Sequence, residues 1–278
     1  MRLSLRAAGV LVVIAGIGLT GCSSQTDAGS ASSANPSSGT PVSLSESLTH
    51  LHGAGVDDAG DLFAATHDGV WLVGGDGTVS RAGSSRDDFM GFAITPATGW
   101  FGSGHPGVGS TMTNPMGLIT STDRGETWSV LSRAGVSDFH ALTATNTLIV
   151  GYDNKELLRS TDGGKNWKTA AAAIAPASLA LVDSTLLATT EAGLMRSSDQ
   201  GDTFEQVAGA PAGLFLLSAR ASALWALDTQ ERVWVSADAG ATWSARGSAP
   251  GAQAIAAVDQ GSAFAISESD VQEVVDDQ

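Results

Sequence analysis

The chain has 278 residues, with 14 Lys and Arg against 29 Asp and Glu and a net charge of −15. That acidity excludes a nucleic-acid partner, because phosphate binding needs a basic surface. A single cysteine excludes an internal disulfide framework.

The first segment, MRLSLRAAGVLVVIAGIGLTGC, carries Arg2 and Arg6 ahead of an apolar run from Ala7 to Leu19. The run is short for a membrane span and is followed at once by polar residues, which suits an export signal. It ends in Leu19-Thr20-Gly21-Cys22, which resembles a bacterial lipobox. The resemblance implies a signal peptide over 1–21, cut before Cys22, and a diacylglycerol on the Cys22 sulfur. It also implies a membrane-anchored protein on the extracytoplasmic face, stably held only if two or more acyl chains are present. Without Arg2 and Arg6 the mature chain keeps 12 basic residues against 29 acidic ones, a net of −17. Residues 23–40 read SSQTDAGSASSANPSSGT, too poor in apolar surface to fold, so 22–40 comprises the lipidated Cys22 and a flexible tether.

Downstream, one eight-residue pattern recurs four times: STDRGETW (121–128), STDGGKNW (160–167), SSDQGDTF (197–204) and SADAGATW (236–243). The copies start 39, 37 and 39 residues apart. A near-constant period of that size marks a repeat architecture. From Leu48 to Gln278 there is room for about six periods of this length. One period reads as four short strands: Phe139 to Thr143, Leu148 to Gly151, Glu156 to Ser160, and a last one from Trp167. Glycine-rich turns and little helical periodicity point to an all-β, six-bladed propeller of four-stranded antiparallel blades over 41–278, expected to be a monomer. The final period is a strand short, and residues near Pro41 to Ser45 are the candidate to close it and cover an exposed edge.

The repeated motif makes sense as a turn. Its Asp accepts hydrogen bonds from backbone N–H groups ahead of it, and its Gly takes a positive φ. It resembles the Asp-box, or BNR repeat, of sialidases, sortilin-type propellers and other bacterial exported proteins. The resemblance makes Asp123, Asp162, Asp199 and Asp238 structural residues on the outer rim, away from the functional face.

Stacking the periods gathers chemistry elsewhere. The second strands end at His67, His105, Asp153, Glu191, Asp228 and Glu268. The first strands of blades one to three begin HLHGAGV, DFMGFAI and DFHALTA, which stacks His50 on Asp88 and Asp138, and His52 on Met90 and His140. All five histidines are thereby expected at one end of the channel. Blade two adds a long loop, with its motif 16 residues after His105 against 7, 6 and 8 in the next three blades. The loop brings Met112 and Met116 and reads as a lid or binding segment.

Two chemistries compete on that face. Imidazoles suit zinc or copper and thioethers favour cuprous copper, giving a metal site on His52, His67, His105 and His140 with His50, Asp88 and Met90 in reserve. Alternatively, the resemblance to sialidase-like glycosyl hydrolases implies catalytic carboxylates, for which Asp88, Asp138, Asp153 and Glu191 are the candidates. A sialidase itself is disfavoured: the family's arginine triad has no counterpart beside Arg86, and the one tyrosine is Tyr152. Phe89 and Phe139 are the aromatics placed to stack on sugar. A third class is a module that binds a glycan or a protein without turnover, which the resemblance to sortilin-type and photosystem-assembly propellers, binders of proteins or peptides, implies.

Overall fold

The computed structural model describes residues 39–96 and 99–275. The proposed signal, Cys22 and almost all of the tether lie outside them. Among the described residues there is no helix. After β1 (Val42–Ser43), blade one contains β2 (Leu51–Val56), β3 (Leu62–Thr66), β4 (Gly69–Val73) and β5 (Val79–Arg81). Blade two has β6 (Asp88–Thr95), β7 (Gly99–His105), β8 (Leu118–Ser121) and β9 (Ser129–Ser132). Blade three has β10 (Ala141–Ala144), β11 (Ile149–Tyr152), β12 (Leu157–Ser160) and β13 (Lys168–Thr169). Blade four has β14 (Ser178–Val182), β15 (Thr185–Thr190), β16 (Gly193–Ser197) and β17 (Glu205–Gln206). Blade five has β18 (Leu214–Arg220), β19 (Ala223–Asp228), β20 (Arg232–Ser236) and β21 (Ser244–Ser248). Blade six has β22 (Ala254–Ala257), β23 (Ser262–Ile266) and β24 (Asp270–Val275).

Each blade is an antiparallel meander, and the sixth is completed by β1, paired to β24 through Val42↔Val271 and Ser43↔Asp270. The Gly39 and Leu44 amides extend that ladder to the carbonyls of Glu273 and Ser269, at 2.9 and 2.7 Å. The closure foreseen for Pro41 to Ser45 is therefore present. It gives the last sheet the outer strand its own period lacks.

The core is divided into layers between neighbouring blades. Phe63, Ala65 and Val70 of blade one pack against Phe89, Phe92, Trp100, Met116 and Ile119 of blade two. Equivalent layers separate the remaining blades. Burial of this kind, at ~25 cal/mol per Å² of apolar surface, holds one sheet against the next and fixes the angular position of every loop.

The four boxes sit in the hairpins between third and fourth strands. In the second copy the Asp162 carboxylate accepts from Ser160 Oγ (2.8 Å), the Asn166 amide (2.9 Å) and Asn166 Nδ2 (2.7 Å). The other three repeat the arrangement with Thr127, Thr203 and Thr242. Two successive residues take left-handed φ in each box, such as Gly163 at 73° and Gly164 at 86°. A Cβ on Gly164 would come within 2.4 Å of Leu118 Cδ2 of the preceding blade, so this glycine is required both by φ and by close approach. The boxes are thus turns that also lock blade to blade.

Candidate metal centre

The starts of the first strands and the ends of the second strands share one mouth of the propeller, opposite the boxes. Backbone irregularities there decide where side chains go. β2 pairs Leu51 with Thr66 and Gly53 with Ala65, so His52 is an extra, bulged residue. β6 does the same at Met90, between the Phe89–Gly104 and Gly91–Ser103 pairs. In blade three the equivalent residue, His140, lies just ahead of β10 and donates its amide to the Tyr152 carbonyl at 2.9 Å. A bulge unpairs one residue and re-aims its side chain. His52 and His140 accordingly both line a cavity of about 80 Å³ at this mouth, together with Gln253 from blade six.

The histidines form two groups. In the first, His52 Nε2 lies 2.9 Å from His67 Nε2, and His67 Nδ1 lies 3.1 Å from Asp88 Oδ1 across the interface between blades one and two. The ring of His50 is 4.9 Å from that of His52 and 5.6 Å from that of His67; its Nδ1 faces Glu268 at 3.7 Å. Donor atoms of His52, His67 and Asp88 all lie within 4.8 Å of one another. Burial, then repulsion from His67 and His50, pushes His52 down to about 4. The His52 imidazole is therefore neutral at pH 7, the form that binds metal.

In the second group the Asp138 carboxylate holds two rings. Its Oδ2 accepts from His140 Nε2 at 2.7 Å and lies 3.2 Å from His105 Nε2. His105 Nδ1 in turn meets Asn114 Oδ1 of the long loop at 2.7 Å. The hydrogen bond to Asp138 raises His140. Burial pushes Asp138 up, but the His140 and His105 interactions outweigh it and leave this carboxyl below its usual value. Asp88 Oδ1 and Asp138 Oδ1 are both buried and make no hydrogen bond, since the 3.1 Å approach of His67 is not aligned for one.

The other residues singled out from sequence go elsewhere. Asp153 does not share the position of His105. Leu142 pairs with Gly151 as Phe92 pairs with Gly102, so the residue equivalent to His105 is Asn154. One residue out of register, Asp153 turns inward, where it caps the Lys155 and Glu156 amides and accepts from Ser137 Oγ at 2.8 Å. Asp228 is likewise buried, bound by Arg232 and Trp234 Nε1. Glu191 keeps the equivalent position but is exposed and makes no hydrogen bond or ion pair with the imidazoles. Met116 is fully buried in the layer between blades one and two, with Met112 packed against it, so neither thioether is added to the mouth. Phe89 and Phe139 are also fully buried, their rings 4.9 Å from Trp128 and Trp167; they are core residues, not sugar platforms. Sequence reasoning missed Gln253, which donates to Glu268 Oε1 at 3.1 Å, and Asn114. Gln253 stands one blade round from His52 at the same strand start, which was the available signal.

A larger cavity, about 720 Å³, opens at the box-side mouth. Its wall mixes aliphatic side chains with Asp58, Asn146, Asp183, Gln200 and Arg220, and Arg220 is already committed to the carbonyls of Val56 and Asp57. Among the described residues, the two buried carboxylate oxygens without a hydrogen bond, Asp88 Oδ1 and Asp138 Oδ1, lie with the histidines at the opposite mouth.

The BNR/Asp-box repeat family matches residues 119–130 and 158–169. The protein is a six-bladed propeller that carries Asp-box repeats. A GH74 enzyme from Niastella koreensis superposes with a TM-score of 0.55 at 14% identity, over 84% of this chain and 53% of that one. The chain thus spans about half of that enzyme. A gluconolactonase from Xanthomonas campestris gives 0.64 at 15% identity, over 86% and 98%. YCF48 from Cyanidioschyzon merolae gives 0.53 at 14%, over 86% and 99%. At such identity these likenesses establish the propeller's fold and nothing of its chemistry. No curated protein matches the sequence significantly.

Proposed function

We propose that this propeller is a lipid-anchored, extracytoplasmic binding module that holds a transition-metal ion on His52, His67 and Asp88. The observation that carries the reading is the meeting of two imidazoles and a partly buried carboxylate with donor atoms within 4.8 Å. Two nitrogens and one oxygen suit zinc or cupric copper, and leave coordination positions open toward the mouth. Asp88 Oδ1, shielded from water without a hydrogen bond, gains a partner in a cation. Met90, on the bulge of the next blade, is the one thioether candidate at this mouth for cuprous copper.

Elemental analysis and zinc titration of the full-length protein in detergent test the metal. A bound-ion content that falls in His67→Ala supports the reading, and a metal-free protein that takes up neither zinc nor copper refutes it. The anchor is tested by Cys22→Ser, which should move the protein from the membrane to the soluble fraction. A glycoside hydrolase would instead use Asp88 and Asp138; turnover of aryl glycosides, lost in Asp138→Asn, would favour that alternative.

A further inference from the structure

We infer that the same mouth holds a second cation, on His105, His140 and Asp138, so that the propeller binds two metal ions on adjacent blade interfaces. This rests on the first metal position proposed above and extends it. The argument begins with a repeated device. His67, after the second strand of blade one, reaches Asp88 at the start of blade two, 3.1 Å away. His105, at the same place in blade two, reaches Asp138 at the start of blade three, 3.2 Å away. The two pairs occupy equivalent positions one blade apart, the first meeting through His67 Nδ1 and Asp88 Oδ1 and the second through His105 Nε2 and Asp138 Oδ2.

Each pair then receives a second imidazole from the strand-start position that a bulge or its equivalent re-aims. His52 joins the first and His140 the second, the latter with Nε2 only 2.7 Å from Asp138 Oδ2. Met90 occupies that position in the blade between. Both sets therefore contain two imidazoles and one carboxylate, donors suited to a divalent ion. In the first the donor atoms already lie within 4.8 Å of one another. In the second both Nε2 atoms flank Asp138 Oδ2 and have to draw in around the ion.

Each set also carries the same deficit. Asp88 Oδ1 and Asp138 Oδ1 are buried oxygens without hydrogen bonds. Leaving such an oxygen unpaired costs about 1–3 kcal/mol or more when it is charged. A cation ligated through Asp88 Oδ1 in one set and Asp138 Oδ1 in the other would remove the cost at both. Because His52 and His140 line one cavity, two ions would flank it and present their open positions to a common ligand.

Zinc stoichiometry decides the matter, measured by calorimetry and elemental analysis on the full-length protein. The expected result is two ions per chain, falling to one in His105→Ala, His140→Ala and His67→Ala, and to none when His67→Ala and His140→Ala are combined. His105 and His140 are 42% and 36% exposed, so truncation opens no core cavity. His140→Gln, checked by circular dichroism, provides a second folded variant. One ion that survives His105→Ala but not His67→Ala overturns the second position and leaves the first. One ion lost in every single variant overturns it in favour of a shared site. No ion in the wild type removes both.

Discussion

The Nε2 atoms of His52 and His67 face each other at 2.9 Å. At that separation one nitrogen donates a proton and the other offers a bare lone pair, so the two rings cannot both be protonated there. A hydrogen-bonded imidazole pair beside a partly buried carboxylate is close to the arrangement a metal needs. It exchanges one proton for one cation with little movement of side chains.

Zinc should therefore stabilise the fold. An ion that binds only the native state raises stability by RT ln(1 + [L]/Kd), about 2.7 kcal/mol at a hundredfold excess over Kd. Thermal melts with zinc and then with chelator should show a reversible rise in Tm that is smaller in His67→Ala and absent when His67→Ala and His140→Ala are combined. Protons compete for the same lone pairs, so the rise should shrink as pH falls.

The boxes should set the acid limit of the fold. Hydrogen bonds from the residue four ahead, then from the serine two behind, hold Asp123, Asp162 and Asp199 down to about 2. Thr242 lowers Asp238 in the same way. For a carboxyl depressed on folding, the stabilisation is complete above the unfolded value of ~3.9 and is lost as pH falls through the folded one. Urea melts of the wild type should lose stability between pH 4 and pH 2. Asp162→Asn should be less stable than the wild type at pH 7 and show a smaller acid decrement.

Two glycines should prove less tolerant than their extended backbone suggests. A Cβ at Gly151 would stand 2.5 Å from Phe139 Cδ1, and one at Gly102 2.8 Å from Phe89 Cε1. Both rings are fully buried and cannot retreat. Gly151→Ala and Gly102→Ala are each expected to cost about 1–3 kcal/mol by overpacking. Gly75→Ala, with nothing within 4 Å of the added carbon, should leave Tm nearly unchanged.

How far the sequence discloses the site depends on what kind of signal each residue leaves. The box copies share a period and a turn chemistry, so blade number and the side that carries the histidines follow from spacing. His52 and His67 come within reach of each other because they stand at strand starts and ends that any propeller brings together. The failures arise where a single residue of register matters. Asp153 looked equivalent to His105 because both follow a second strand, but the Leu142–Gly151 pair moves it one place and turns it inward. Bulges at His52 and Met90 have no local sequence mark, so division of the four imidazoles into two groups was invisible. Phe89 and Phe139 have the alternation of residues that could face either way. Only the small residues opposite, Gly102 and Gly151, indicate that the rings lie across them.

Closure by the amino-terminal strand makes a last prediction about assembly. β1 covers the outer edge of β24, Leu44 packs on the layer between blades six and one, and Ser45 bonds the Gly77 carbonyl at 2.7 Å. Removing residues 23–45 while retaining Leu48, which is buried in the same layer, would uncover the β24 edge next to an intact core. An unpaired edge recruits another chain. The truncated protein is expected to melt several degrees lower and to elute from size exclusion as oligomers that grow with concentration. Truncation of 23–37 alone, which spares the strand, should leave both readouts at wild-type values. Equal behaviour of the two truncations would show that the ring stays shut without its terminal strand.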